Sequence, residues 1–367
     1  MERDEADKYK IIDLFAGPGG IDVAAEKLGI TTVGIEWDPS AGDTRDAAGL
    51  KTEKGDVRDY DPSRFPDANV LAGGPPCQTF TVAGNGAGRK ALDTVLDFVE
   101  RMAARENSEE IRRDLSQLDD ERTSLILEPL RWALKAIDDG RPYEAIILEQ
   151  VPGVLPVWEA YKGVLKKEGY SAECEVLRTE EYGVPQTRRR AILIARRGDT
   201  VDFPPPPTHR AYRRGVPRDE GDQNLKPWRT MAEVIDRKGP FEVISNYGTG
   251  GDPKARGRRR SCEPSATVTG KIFRNRIVAP DGTELERFSK FEAGRLQTFP
   301  GDYPWAGKDV GQQIGNATPP RLAMHVLCAA LGWRPPDEKE LKSLEKWKDE
   351  KASKLDKDKS EKPKMKK

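Results

Sequence analysis

Apolar and polar positions follow two different rhythms along the first 75 residues, and each rhythm predicts an element. YKIIDLF, from Tyr9 to Phe15, is a continuous apolar run with the length of one buried strand, and TTVGIEW, from Thr31 to Trp37, supplies a second. Between them, Gly17 to Gly20 predicts a tight turn and Ile21 to Leu28 an amphipathic helix stopped by Gly29. Asp56 to Tyr60 falls in the loop after a third strand, and ANVLA at 68–72 leads into GGPPCQTF. Further on, Leu125 to Ile137 has helical spacing, while EAIIL at 144–148 and AILIA at 191–195 read as strands. Strands and helices in alternation predict an α/β fold, a Rossmann-like parallel sheet covered on both faces.

Three stretches break this pattern. Residues 91–122 are dense in Glu, Asp and Arg and read as solvated helix or as a partly mobile insertion. After AILIA the chain turns Pro-rich in FPPPPTHRAYRRGVPRDEGD and strongly basic in KARGRRRS, which puts a boundary near Arg197. Helical signals return beyond Thr283 in GQQIGNATPPRLAMHVLCAALG, and residues 337–367 are Lys/Glu-rich and apolar-poor, as for a solvated helix fraying into a disordered tail. The predicted organisation is a main domain over 9–196, a smaller domain over 197–283, a returning segment over 284–333 and the tail.

Composition narrows the function classes. The 367 residues suffice for about two domains, and no apolar run nears the roughly 18 residues of a membrane span. MERDEADKYK lacks the features of a secretory signal, so a soluble, cytoplasmic chain is expected. The four cysteines, Cys77, Cys174, Cys262 and Cys328, include no Cys-x-x-Cys pair and the two histidines are scattered, so no metal is expected. Sixty-two basic residues balance 62 acidic ones, and a polyanionic partner can show itself only through local clusters of charge.

The glycine turn in Asp13-Leu14-Phe15-Ala16-Gly17-Pro18-Gly19-Gly20 sits where backbone amides approach a cofactor. A dinucleotide fingerprint needs glycine where Asp22 stands, and Gly-Lys-Ser/Thr is absent. A nucleoside cofactor without pyrophosphate remains: Glu36 is placed to accept from ribose hydroxyls, Trp37 to stack on a base and Asp56 to accept from an exocyclic amine. Two prolines stiffen the chain before Cys77 in Gly73-Gly74-Pro75-Pro76-Cys77-Gln78, a construction that fixes a nucleophile, and GNGAGRK after it is a cationic loop containing Arg89.

In this order DLFAGPGG, GGPPCQTFTVAG, Glu149-Gln150-Val151, Gln186-Thr187-Arg188-Arg189-Arg190, RFSKFEAGRLQTFP and Gly315-Asn316-Ala317-Thr318-Pro319-Pro320 make the chain resemble the DNA cytosine-5 methyltransferases of bacterial restriction-modification type, over residues 11–331. Gln150 departs from the family's usual Asn. The resemblance implies S-adenosylmethionine as cofactor, held by Phe15, Ala16, Gly17, Gly19, Gly20, Glu36, Trp37, Asp56, Val57, Pro75 and Asn316. It implies a covalent mechanism in which Cys77 attacks cytosine C6 and Glu149 meets the charge at N3. Arg188 and Arg190, alternate residues on a strand, are expected to face the pocket together while Arg189 faces away.

Residues 197–283 lie where that family carries its target-recognition domain. Gln78, Arg89, Gln186, Arg258, Arg259 and Arg260 are the expected DNA contacts, with Asn246 and Tyr247 near base edges. The partner so implied is duplex DNA, with any cognate restriction endonuclease acting on the same site without a stable complex and the enzyme itself a monomer. Rival readings are a transfer-RNA cytosine methyltransferase and an inactive DNA-binding homologue.

Overall fold

A computed structural model describes residues 6–76, 86–117, 124–246 and 256–347, the side chains of 86–90 excepted. Seven strands make the main sheet: β1 (Lys10–Leu14), β2 (Thr31–Glu36), β3 (Thr52–Lys54), β4 (Val70–Gly73), β5 (Ala145–Gln150), β6 (Tyr170–Arg178) and β8 (Arg189–Arg197), with the short β7 (Gln186–Thr187) just before the last. Their order is β3-β2-β1-β4-β5-β8-β6, parallel except for β8, which runs antiparallel to both β5 and β6. Strand order reverses between β1 and β4, and in such sheets ligands bind beyond the strand ends at this reversal.

Period-two alternation sorts neighbouring residues to opposite faces. Ile12, Leu71, Ile146, Leu148 and Leu193 pack with Trp132 of α5 (Glu128–Asp138) and Trp158 of α6 (Leu155–Lys167). Ile11, Val70, Ala72, Ile147 and Ile194 pack on the other face, with α1 (Gly20–Lys27) and α9 (Pro320–Ala330). The strand between α6 and β7 gave no signal in the sequence reading: alternating YSAECEVLR has polar residues at half its positions because β6 is an edge strand.

Two expectations are revised. The insertion is not a solvated appendage: α3 (Gly86–Ala103) buries Val95, Phe98 and Val99 against the sheet's helical layer, and α4 (Ser108–Leu115) adds Ile111. Its acidic and basic residues occupy the outward faces of amphipathic helices. The closing segment is likewise packed as far as Trp347, since α10 (Glu338–Ser343) contributes Leu341, followed by buried Leu344 and Trp347.

Between these parts, β9 (Glu242–Ile244), β10 (Arg258–Arg260), β12 (Arg276–Val278) and β13 (Glu284–Leu285) form an antiparallel sheet in the order β10-β9-β12-β13. KARGRRR therefore ends in a strand. The inward residues Val243 and Ile277 join Met231 and Phe241 in the same apolar cluster as the main sheet's face, and β11 (Ser265–Ala266) pairs with β7 across the two regions.

Candidate active site

At the strand reversal, a cavity of about 750 Å³ opens over the ends of β1, β2, β4 and β5. The turn after β1 shapes one wall. Phe15 adopts a left-handed backbone (φ 62°) and Gly17 follows at φ 55°, a region costly for most side chains. Two anchors hold this turn: Ala16 N–H donates to the Ile35 carbonyl at 3.0 Å, and Gly17 N–H donates to Glu36 Oε2 at 2.6 Å. The other Glu36 oxygen accepts Asp38 N–H at 2.6 Å, and burial pushes this carboxyl above its ordinary pKa.

The glycines divide by task. A Cβ at Gly17 would meet nothing within 4 Å, so that position stays open to the cavity. Gly19 and Gly20 serve packing, since a Cβ at Gly19 would press on Leu50 and Tyr303, and one at Gly20 would overlap the Thr318 carbonyl. Glycine here lets the returning segment dock on the turn.

Cavity walls also carry Phe15, Ala16, Glu36, Trp37, Asp56, Val57, Glu149, Arg190 and Asn316, all singled out from the sequence. Trp37 is 67% exposed, a large ring left open to solvent at the rim. Asp56 has less freedom than expected: Arg58 donates to it from its backbone N–H at 2.9 Å and its guanidinium at 2.5 Å and 3.0 Å. Burial raises the Asp56 pKa, but these Arg58 contacts outweigh it and hold the group below the usual range. Asn316 Oδ1 accepts from Gln312 at 2.8 Å.

The other end of the cavity is built on β5. Arg190 Nε lies 2.6 Å from Glu149 Oε1, both nearly buried, as an ion pair without hydrogen-bond alignment. Gln150 ties the loop before residue 77 to β5, its amide donating to the Pro75 carbonyl and its Oε1 accepting Val151 N–H at 2.5 Å. The longer amide thus reaches the loop. Cys77, Gln78 and Tyr247 lie outside the described residues, as does the Arg89 side chain.

Arg188 and Gln186 depart from their expected orientation. Arg188 is 1% exposed and donates to the carbonyls of Val268 and Gly315, both at 3.0 Å, so only Arg190 of the pair faces the cavity. The chain leaves β7 before entering β8, and strict alternation fails at that break. Gln186 is fully buried, donating to the Leu296 carbonyl and Gln297 Oε1 while accepting Val268 N–H, which closes it to DNA. Both side chains join the small sheet's region to the main domain.

The basic strand is also partly committed. Arg258 pairs with Glu242 at 2.5 Å, Arg259 lies over the Tyr212 ring at 4.7 Å and donates to its hydroxyl at 2.9 Å, and Arg260 lies 3.7 Å from Glu263. Asn246 donates its amide to the Arg274 carbonyl.

Sequence reasoning missed Asp13, 3% exposed at the cavity floor. Burial, and then neighbouring Asp22, push its pKa well up. A single carboxylate inside an apolar strand was the available signal. Gln312, Gln313 and Thr318 complete the wall from the returning segment.

Residues 9–105 and 113–331 match the family model described as C-5 cytosine-specific DNA methylase. The type II methyltransferase M.NgoBI of Neisseria gonorrhoeae is 30% identical over 304 residues, covering 80% of this chain and 84% of the relative. M.Eco47II of Escherichia coli, another type II methyltransferase, is 28% identical over 355 residues, covering 87% and 78%. The crystal structure of Dnmt2 methyltransferase from S. pombe superposes with a TM-score of 0.58 at 17% identity, over 88% of this chain and 98% of that one, a likeness of fold.

Proposed function

This chain belongs to the C-5 cytosine-specific DNA methylase family and is a DNA cytosine-5 methyltransferase; we propose that it methylates C5 of a cytosine flipped out of a specific duplex sequence, using S-adenosylmethionine and a covalent bond to Cys77. The observation that carries this reading is the Glu149–Arg190 ion pair at the cavity end, beside the proline loop that Gln150 ties down immediately before Cys77.

The donor set supports the cofactor. A cavity of about 750 Å³ has a carboxylate at Glu36 whose two oxygens each retain lone pairs after accepting one backbone N–H. Asp13 offers a buried carboxyl to an amine, Trp37 a ring to stack on adenine, and Phe15, Ala16, Gly17, Val57 and Asn316 the intervening wall. When bound, S-adenosylmethionine supplies an electrophilic methyl group.

Cytosine C5 is a poor nucleophile until electron density is pushed into the ring. The Cys77 thiolate does this by bonding to C6, and Glu149 stabilises the charge arriving at N3. Arg190 fixes the Glu149 carboxyl, so its position is set before the base enters. Once the methyl group is on C5, loss of the C5 proton expels Cys77 and restores aromaticity. Reaching C6 requires extruding the base, at a cost of a few kcal/mol, roughly, which contacts to base and phosphates must offset. Gln78, Arg89 and the exposed arginines of β10 are the proposed DNA contacts, with the enzyme acting as a monomer and any endonuclease of the same specificity acting separately.

Bisulfite sequencing of duplex DNA incubated with the protein and S-adenosylmethionine tests the reading and identifies the site. Cys77→Ala is expected to abolish methylation while cofactor affinity is kept, because the thiol touches the base alone. Turnover by Cys77→Ala would overturn the covalent mechanism, and methyl incorporation into transfer RNA instead of duplex DNA would overturn the substrate.

A further inference from the structure

A second cleft, of about 570 Å³, begins on the far side of Arg190, whose side chain lines both spaces. Its walls come from the ends of β6 and β8 on one side and from residues 212–214 and β10 on the other. Five arginines face it. Two are committed, Arg190 to Glu149 and Arg259 to the ring and hydroxyl of Tyr212. The other three, Arg178, Arg189 and Arg214, have no carboxylate at ion-pair distance among the described residues.

Amid these cations stands one acid. Glu180, in the turn Thr179–Tyr182 that joins β6 to β7, is 4% exposed, lines the cleft, and has an Oε2 with no hydrogen-bond partner. A buried carboxyl oxygen without a partner is costly unless a ligand completes it, and the guanidiniums of Arg189 and Arg214 stand beside it open to solvent, free to meet such a ligand.

We propose that this cleft seats backbone phosphates of the DNA strand beside the target nucleotide, clamped by Arg178, Arg189 and Arg214, and that Glu180 is its acid, carrying a proton whenever the phosphates are in place. The proposal rests on the DNA methyltransferase reading and locates its phosphate contacts. Guanidinium forks match phosphate oxygens, and the shared Arg190 sets the cleft directly beside the catalytic cavity. A phosphate brought against an ionised Glu180 would be repelled, whereas the protonated carboxyl donates its O–H through the free Oε2.

The acid form is within easy reach. Burial, helped by Glu181, raises the Glu180 pKa to about 7 although Arg178 and Arg189 pull it down. The groups facing it across the cleft are Arg190, Arg214, Arg259 and Tyr212, whose hydroxyl donates to Glu263. Seated phosphates add negative charge and raise the Glu180 pKa further, so DNA binding takes up one proton from solvent.

Fluorescence anisotropy with the full chain and a labelled duplex, titrated over salt and pH, tests this. Wild-type affinity is expected to fall about tenfold between about pH 6 and about pH 8, as for a group whose free pKa is about 7 and whose proton is retained in the complex. Glu180→Gln, uncharged and nearly isosteric, is expected to bind with the low-pH wild-type affinity throughout. Arg189→Ala with Arg214→Ala is expected to flatten the slope of log K against log salt by about one for each guanidinium removed. Persistence of the wild-type pH dependence in Glu180→Gln overturns the acid role, as does weaker binding of that variant at low pH, which would mark the carboxylate as a base acceptor. An unchanged salt slope in the double arginine variant overturns the clamp. If wild-type neither binds nor methylates duplex DNA, the methyltransferase reading falls instead.

Discussion

Glu36 shows how much one side chain does at the end of the cavity proposed for the cofactor. It receives the N–H groups of Gly17 and Asp38, both at 2.6 Å, so the same carboxylate that faces the cavity also fixes the turn beside it. Glu36→Ala is expected to weaken S-adenosylmethionine binding by about 1.5 to 3 kcal/mol, the range for a hydrogen bond to a charged group. Calorimetry reads this directly, and an unchanged dissociation constant would place the ribose elsewhere. Gln150 makes the complementary case at the other end: one methylene longer than the Asn that the family resemblance leads one to expect, it still spans from β5 to the Pro75 carbonyl and back to Val151 N–H.

Among the elements, the closing segment changes most between its composition and its role. Its lysines and glutamates cover α10, while Trp347 inserts behind the turn and helices of the main domain, its indole N–H donating to the Ala48 carbonyl at 3.1 Å and its ring centroid 5.4 Å from that of Tyr303 in a T-shaped pair. Tyr303 in turn donates to the Pro18 carbonyl in the glycine turn. Trp347→Ala is therefore expected to cost about 3 to 5 kcal/mol of stability, as for removal of a buried aromatic. Urea unfolding measures it, and a loss below about 1 kcal/mol would mean the indole is dispensable to the core.

For the whole molecule, two buried histidines set the response to acid. Burial, and then nearby Arg321, push His325 down to about 3, and burial does the same to His209. Neither ring nitrogen of His325 has a hydrogen-bond partner among the described residues. The unfolded chain takes up these protons near pH 6.5, roughly, and the folded chain refuses them, so stability falls as pH drops from there towards about 3. Glu180, protonated in the fold up to about 7, opposes this in the upper part of the window, as do Glu36 and Asp13, whose carboxyl pKa values burial also raises. His325→Leu is expected to flatten the acid limb by about one proton, or about 1.4 kcal/mol per pH unit. Equal slopes in urea titrations across that range would show that His325 is charged in the folded state.

Local signals in the chain determined the alternating sheet, the glycine turn, the stiffened loop before Cys77 and the position of Glu36, because strand ends and turns are written in residues adjacent along the chain; Glu149 and Arg190 were legible through the ordered motifs that carry the family resemblance. Tertiary structure decided what those signals share with other roles. Arg188 and Gln186 carry the same side chains as a binding site would need, yet their partners are carbonyls and amides some 80 to 130 residues away. Gly19 and Gly20 fit a cofactor loop by sequence, and only the approach of Thr318 and Tyr303 makes them packing positions. The basic cleft assembles from Arg178, Arg189, Arg214 and Glu180, which are scattered through charged stretches and acquire a common function only when β6, β8 and the small domain meet. Charge pattern along a chain records that a residue is polar; whether it is solvated, paired or left waiting for a ligand depends on neighbours brought by the fold.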